Sequence, residues 1–221
     1  MKATARAHPI QGLVKYHGMR DPQLRLPYHD SISVCTAPTN TTTTVEWLTD
    51  VDAEGGTQDT YMIDGEAVDG RAAERITMVV DHVRDLADFD YAVRFESENS
   101  FPSNIGFGSS SSGFAAAAMA LVEAAGLDMS LPEISTVARR GSSSAARAVT
   151  GAFSHLYAGL NDEDCRSYRL ESELEDDLKI VAAHVPSYKE TEEAHKEAAE
   201  SHMFQARVAH IPDQIVEMRD A

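Results

Sequence analysis

The chain has 221 residues, 43% of them hydrophobic, and a formal charge of −17 from 36 acidic and 19 basic side chains. That length holds one large domain, or one domain and part of another, and the apolar residues form no run of membrane-spanning length. A surface this acidic repels nucleic-acid phosphates and anionic lipids, which excludes both as partners and leaves small molecules.

The opening Met1-Lys2-Ala3-Thr4-Ala5-Arg6 leads into no apolar stretch of a secretory signal, which points to the cytoplasm. Cys35 and Cys165 lie far apart and in no metal-ligand spacing, so they read as free thiols. Only five basic residues are Lys, and the acids are spread along the chain rather than gathered in a tail. Such a distribution fits a folded protein kept soluble in molar salt, where screening removes the self-repulsion. In this background the few places where Lys, Arg, Gly and Ser concentrate carry most of the information.

Taken in chain order, residues 31–35 and the Thr run ending Val45-Glu46-Trp47-Leu48 read as strands separated by a Pro38-Thr39-Asn40 break. Residues 60–63 followed by Asp64-Gly65 predict a hairpin. Ala72, Ile76, Val79, Val80, Val83 and Leu86 fall at helical spacing over 71–87. Tyr91, Val93 and Phe95 alternate with Ala92, Arg94 and Glu96 as a half-buried strand. A Gly/Ser loop over 102–113 runs into an Ala-rich helix over 114–125, and Ser130 with Glu133 forms a capping box for a helix through Arg140. A short helical run and a strand over 151–157 follow. Residues 161–177 read as an acidic surface connection, 180–185 as a buried strand, and 190–210 as one long polar helix. The nine histidines read as surface residues. The mixture is α+β rather than regular βαβ alternation.

Three clusters concentrate chemistry. The first is Pro102-Ser103-Asn104-Ile105-Gly106-Phe107-Gly108-Ser109-Ser110-Ser111-Ser112-Gly113. Glycines let backbone approach a ligand, and amides at a helix start face an anion. A Ser-rich cap explains one or two of the serines but not four, and no Gly-Lys-Ser/Thr makes it a P-loop. The second is Arg139-Arg140-Gly141-Ser142-Ser143-Ser144-Ala145-Ala146-Arg147. Arg139 and Arg140 suit a helix C-terminus, whereas Arg147, beyond the serines, is the better ligand for carboxylate or phosphate. The third is Lys15-Tyr16-His17-Gly18-Met19-Arg20-Asp21 with Leu26-Pro27-Tyr28-His29-Asp30-Ser31-Ile32-Ser33, by itself only a polar loop.

In order and spacing these segments resemble the mevalonate diphosphate decarboxylases of the GHMP small-molecule kinase superfamily. That family carries Lys-Tyr-Trp-Gly-Lys-Arg-Asp, Leu-Pro-x-x-Asp/Asn-Ser-Leu-Ser, Asn-x-Phe-Pro-x-x-x-Gly-Leu-Ala-Ser-Ser and Ala-Arg-x-Gly-Ser-Gly-Ser-Ala-x-Arg. The resemblance implies a GHMP-type two-domain α+β fold, with an ATP- and substrate-binding domain over 1–177 and the start of an incomplete carboxy-terminal domain over 178–221. It implies ATP and Mg²⁺ as cofactors and a homodimer. Gly106, Gly108, Ser109 and Ser110 match the ATP-phosphate loop, with Ser110 also the metal ligand. Tyr16, Ser142, Ser144 and Arg147 match substrate contacts, and Lys15 and Arg147 the catalytic cations.

The departures are informative. Met19 stands where the family has a second lysine, His17 where it has tryptophan, Ser143 where it has the middle glycine, and Gln11 falls near a family asparagine. One cation fewer suits one phosphate fewer, which favours mevalonate 5-phosphate over the 5-diphosphate unless another base such as Arg20 compensates. The resemblance also extends to the salt-loving archaeal branch of phosphomevalonate decarboxylases. The family's catalytic Asp-x-Gly motif has no counterpart after Val185, so it is expected beyond residue 221, and the Glu/His-rich helix replaces a Ser/Thr-Gln-Gly turn. The remaining alternatives are a diphosphate decarboxylase, a 3-hydroxyl kinase without decarboxylation, and a ligand-binding fragment; homoserine kinase-like and galactokinase-like enzymes match the 15–21 and 26–33 segments poorly. The salt reading predicts that the thermal midpoint followed by circular dichroism rises as KCl goes from about 0.1 M to about 1 M, where screening shortens from ~10 to ~3 Å; a midpoint that falls or stays level contradicts it.

Overall fold

The computed structural model describes residues 1–49, 58–102, 106–175, 177–181 and 191–221, with side chains from 194 onward in the last segment. Five strands, β1 (Lys2–Ala7), β6 (Thr41–Leu48), β9 (Ala92–Asn99), β7 (Thr60–Ile63) and β8 (Glu66–Ala67), form one sheet in that spatial order. All pairs are antiparallel except β7 beside β9. The Thr run is a strand because its inward positions, Thr41, Thr43, Val45 and Trp47, share one face. The two buried threonines keep hydroxyl partners: Thr43 meets Ser97 at 2.9 Å and Thr41 meets Ser112 at 2.6 Å.

Helix α2 (Ser109–Ala125) lies across β1 and β6, and α1 (Gly70–Ala87) and α3 (Leu131–Gly141) pack against it. Nearly every side of α2 is covered, from Ala115 through Leu121 to Ala124, as expected of a helix that is apolar all round. Its small side chains let neighbouring elements approach closely. On α1 the spacing of Ile76, Val79, Val80 and Val83 places all four in the same core. At the start of α3 the Glu133 carboxylate accepts from both the Ser130 amide (2.9 Å) and the Ser130 hydroxyl (2.6 Å).

A second sheet runs β11 (Ser167–Leu170), β10 (Phe153–Leu156), β5 (Ser31–Cys35), β2 (Ile10–Val14), antiparallel throughout. The short α4 (Ala145–Thr150) covers one face of it, and α6 (Phe204–Asp220) covers part of the other, where Ile211 and Ile215 pack on Val14 and Ile32. A small pair, β3 (Met19–Asp21) and β4 (Leu26–Pro27), closes the 15–33 segment.

Several expectations are corrected. Helix α2 begins at Ser109, five residues before the predicted Ala-rich start, because serines are good first-turn residues and periodicity does not register them. The 161–177 stretch is no mere surface connection: it contains β11, and Cys165 and Ser167 are fully buried. Ile180 is largely exposed and Val181 is 93% exposed, neither in a strand; residues 182–185 of that predicted strand lie outside the described residues. The single long helix is two, α5 (Thr191–Glu200) and α6, separated at 201–203. His29, His155 and His195 are buried, not surface residues.

Where α3 ends, Gly141 leaves room for the Phe114 ring: a Cβ built there would lie 2.0 Å from Phe114 Cδ1. Arg75 fastens the same corner, donating to the Gly141 carbonyl at 2.6 and 3.1 Å with its guanidinium 4.8 Å from the Phe114 ring centre. Gly141→Ala should therefore destabilise the protein by about 1–3 kcal/mol through overpacking, although Ala is the better helix former by ~1 kcal/mol. Urea unfolding in high salt measures this, and an unchanged or raised midpoint contradicts the packing argument.

Candidate active site

The Gly/Ser loop becomes the N-terminus of α2. Gly106 and Gly108 both take the left-handed conformation, and Gly108 is the residue before the first turn. The amides of Ser109 and Ser110 are in the first turn, where helix geometry leaves N–H groups without intrahelical acceptors. The four serines divide by role. Ser111 Oγ donates to the Gly108 carbonyl (2.6 Å) and accepts from the Ile10 amide (3.2 Å), while Ser112 bonds Thr41, so both are structural. Ser109 and the exposed Ser110 stay at the mouth. Amides, hydroxyls and the helix dipole together suit a phosphate and a divalent ion bound to it. Ser103, Asn104 and Ile105 of this loop lie outside the described residues.

The second group forms around α4. Arg147 is 1% exposed, and among the described residues no carboxylate pairs with it. Its Nε donates to Ser33 Oγ at 3.0 Å and its Nη1 to Ser31 Oγ. These serines alternate with Ile32 on β5, so the strand turns hydroxyls toward α4 and the apolar side chain toward α6. The Nη2 edge is engaged by neither serine. Burial pulls the guanidinium down to about 10, offset in part by Tyr16 and Cys165; it remains a cation at neutral pH.

Tyr16 lies over Arg147, with the guanidinium carbon 5.3 Å from its ring centre. Burial raises its pKa against the opposing pull of Arg147 and a hydrogen bond with Ser143, so it stays a neutral phenol. Ser143 Oγ donates to the Arg25 carbonyl at 2.6 Å, and Ser142 and Ser144 hydroxyls meet at 3.0 Å. Lys15 is exposed at the rim, its carbonyl accepting from Arg207 at 2.9 Å; burial lowers the pKa of both His17 and His195, and the Lys15 charge adds to it. The structure thus brings Lys15, Tyr16, Ser142, Ser144 and Arg147 to one end. Gly106, Gly108, Ser109 and Ser110 form the other end. Strand β2 joins them: Ile10 touches the α2 loop, and the chain leaves Val14 directly into Lys15.

Three participants were not legible as such. Ser31 and Ser33 stand in the 26–33 segment matched to the family motif, but their part in holding Arg147 shows in the sequence only as hydroxyls at every second position of an apolar strand. His195 comes from α5, across 177 residues of sequence from the loop it touches. Arg20 is present in the motif, but its guanidinium is consumed by backbone: it donates to the carbonyls of Pro27, Ala158, Gly159 and Leu160 at 2.8–3.1 Å. A separate hollow of about 360 Å³ lies against His82, Asp128, Glu133, Asp162 and Glu163. Its carboxylates suit no anionic ligand, and it shares no residue with either end.

Residues 7–167, most of the chain and every segment just described except α5 and α6, match the family described as the diphosphomevalonate decarboxylase-like N-terminal domain. The chain belongs to this family. It is 74% identical to the phosphomevalonate decarboxylase of Haloferax volcanii over all 221 residues, which are 67% of that protein. The crystal structure of mevalonate diphosphate decarboxylase from Staphylococcus aureus matches at 31% identity and a TM-score of 0.85, covering 100% of this chain and 66% of that one. A solved complex of MDDEF with MVAPP, AMPPCP and magnesium matches at 26% identity and a TM-score of 0.85, covering 100% of this chain and 68% of that one. The decarboxylase-like chain therefore spans about two thirds of the length of these relatives.

A buried cation that, among the described residues, meets hydroxyls and a tyrosine ring but no carboxylate is expected to serve a ligand rather than stability. In Arg147→Met the relieved burial of charge, ~1–4 kcal/mol, opposes the two orphaned serine hydroxyls, ~1–3 kcal/mol each, so the net runs from a gain of about 2 to a loss of about 5 kcal/mol, with mid-range values leaving a small loss. Turnover by the complete gene product should fall at least ~100-fold. Loss well beyond ~5 kcal/mol in urea unfolding, or retained turnover, would make Arg147 a structural residue instead.

Proposed function

We propose that this chain is the nucleotide- and substrate-binding portion of an enzyme that converts mevalonate 5-phosphate, with ATP, to isopentenyl phosphate, ADP, phosphate and CO₂. The observation that carries the choice of the monophosphate is the pair Met19 and Arg20. Met19 packs its sulfur 4.0 Å from Ser143 Oγ, so a thioether sits where the related motif has a lysine. Arg20 does not replace that charge, because its donors are taken by four backbone carbonyls. The name of the 74% identical relative supports the same reading.

In this proposal residues 1–177 form the binding domain, and Gly106, Gly108, Ser109 and Ser110 hold the ATP phosphates, with the Ser110 hydroxyl a ligand to Mg²⁺. When bound, ATP supplies the phosphoryl group and Mg²⁺ neutralises charge on its oxygens. Ser142, Ser144, Tyr16 and the Nη2 edge of Arg147 hold the carboxylate and phosphate of the substrate, and Lys15 adds a cation at the rim. Transfer of a phosphoryl group makes the tertiary 3-hydroxyl a leaving group. The bond from C2 to the carboxylate carbon then breaks, its electron pair forms the double bond to C3, and phosphate departs with the C3–O pair. Preorganised cations and hydroxyls stabilise the departing phosphate without reorganisation. The acidic composition and the relative from Haloferax volcanii support a salt-rich cytoplasm as the setting. A homodimer remains part of the proposal.

The test is a coupled assay of the complete gene product in molar KCl with ATP, Mg²⁺ and either substrate. CO₂ and isopentenyl phosphate from the monophosphate, with little from the diphosphate, is the expected result, and Met19→Lys should shift the preference toward the diphosphate. ADP without CO₂ indicates a 3-kinase, and turnover of the diphosphate alone removes the argument from Met19 and Arg20.

A further inference from the structure

The phosphate end has a feature that neither the reaction nor the motifs call for. His195, on α5, is 7% exposed and stacks on Tyr16 with ring centres 5.0 Å apart and planes 4° from parallel. The Tyr16 ring thus contacts both the Arg147 guanidinium and the His195 imidazole. His195 Nδ1 also accepts the amide N–H of Gly18 at 3.2 Å. Gly18 has φ of +72°, and a Cβ there would lie 2.9 Å from the Phe204 ring, so α5 and α6 both press on this turn.

A backbone amide on a glycine turn beside Lys15 and Tyr16 is the kind of donor that binds a phosphoryl oxygen. Here that donor is already satisfied from within. An Nδ1 that accepts an N–H carries no proton, so the ring is neutral with its hydrogen on Nε2. Burial, then the charges of Lys15, His17 and Arg25 facing it, lower the His195 pKa to about 4, in keeping with that tautomer. The imidazole thus stands where an anionic acceptor would otherwise sit and brings no charge of its own.

We propose that His195 is a specificity-determining residue: by capping the Gly18 amide and stacking on Tyr16, it excludes a second phosphoryl group from the substrate's phosphate end. This rests on the decarboxylase reading above. Met19 removes an attraction for the second phosphate, and His195 adds an obstacle, so the two act on different terms of the same discrimination.

Three variants separate the contributions. His195→Ala removes cap and stack, His195→Phe keeps the stack without the acceptor, and His195→Asn keeps an acceptor for Gly18 without the full stack. Each is assayed in the complete gene product in molar KCl for kcat and KM with mevalonate 5-phosphate and the 5-diphosphate. Calorimetric binding of both compounds gives a readout that does not need turnover, and circular dichroism checks folding. The inference expects the ratio of kcat/KM for diphosphate over monophosphate to rise at least ~10-fold in Ala, about 1.4 kcal/mol, mainly through KM, and by less in Phe, which frees the amide but still fills the space, with Asn near the wild-type ratio. Equal losses for both substrates in all three variants, or an unchanged ratio, would make His195 a packing residue and overturn the inference. The parent reading is judged on the wild type alone: if it releases no CO₂ from the monophosphate, both fall.

Discussion

The arrangement depends on a buried guanidinium that, among the described residues, has no carboxylate to answer it. Arg147 is enclosed by two serine hydroxyls and a tyrosine ring in a chain that carries 36 acids. Elsewhere this protein pairs arginine with acid readily: Arg84 with Asp59 and Asp81, Arg94 with Glu46, Arg139 and Arg140 with Asp162. Burial lowers the Arg147 pKa from its ordinary value to about 10, so the unfolded chain binds more protons just above that pH and stability rises with pH across that interval. At neutral pH the cost of burying the charge is fully present. A site that needs a bound anion to complete its electrostatics has a physical reason to be left this way, since a resident carboxylate would cancel the attraction.

The rest of the site follows from keeping that cation dry and oriented. Strand β5 supplies hydroxyls on one face and Ile32 on the other, so the same five residues solvate Arg147 and anchor α6. The α4 backbone is fixed in turn, with the Arg147 carbonyl accepting from Ser154 Oγ at 2.9 Å. Next to β5, β2 starts against the α2 loop and ends next to Lys15, which ties the Gly/Ser loop and the group around Arg147 to one sheet. Rigid elements rather than long loops thus set the separation of the two groups.

What the sequence revealed and what it hid divide along a physical line. Elements whose burial is periodic were legible: α1 from Ile76, Val79, Val80 and Val83, and β6 from alternating Thr, Val and Trp positions. The Gly/Ser and Arg/Ser segments were legible because their composition departs from an acidic, Lys-poor background. β11 was not, since Arg166 and the acids around Cys165 and Ser167 mask two buried side chains in a polar stretch. The division of the four α2 serines was not legible either, because only the fold places Thr41 and Ile10 beside Ser112 and Ser111. His195 was misread as a surface histidine. Its burial is decided by α5 meeting the 15–18 turn, a long-range contact that leaves no local pattern.

The scarcity of lysine has a structural side as well. Arginine's planar fork satisfies several carbonyls at once, which a single ammonium on a flexible stem does less well. Arg20 gathers the carbonyls of 158–160 to that of Pro27, Arg139 those of Leu24, Asp162 and Cys165, and Arg75 that of Gly141. Arg75 thereby fastens the residue just before Ser142, while Arg20 and Arg139 fasten the 24–27 segment, whose Arg25 carbonyl accepts from Ser143. A chain under pressure to shed lysine and carry acid can therefore keep cations inside, as carbonyl clamps, while its surface stays negative. It also explains why the substitution at Met19 is not repaired by its neighbour: moving Arg20 toward a phosphate would release four carbonyls in a partly buried turn, each worth about 1 kcal/mol of net hydrogen bonding, and unfasten the 158–160 loop from the strand pair that carries Met19 itself.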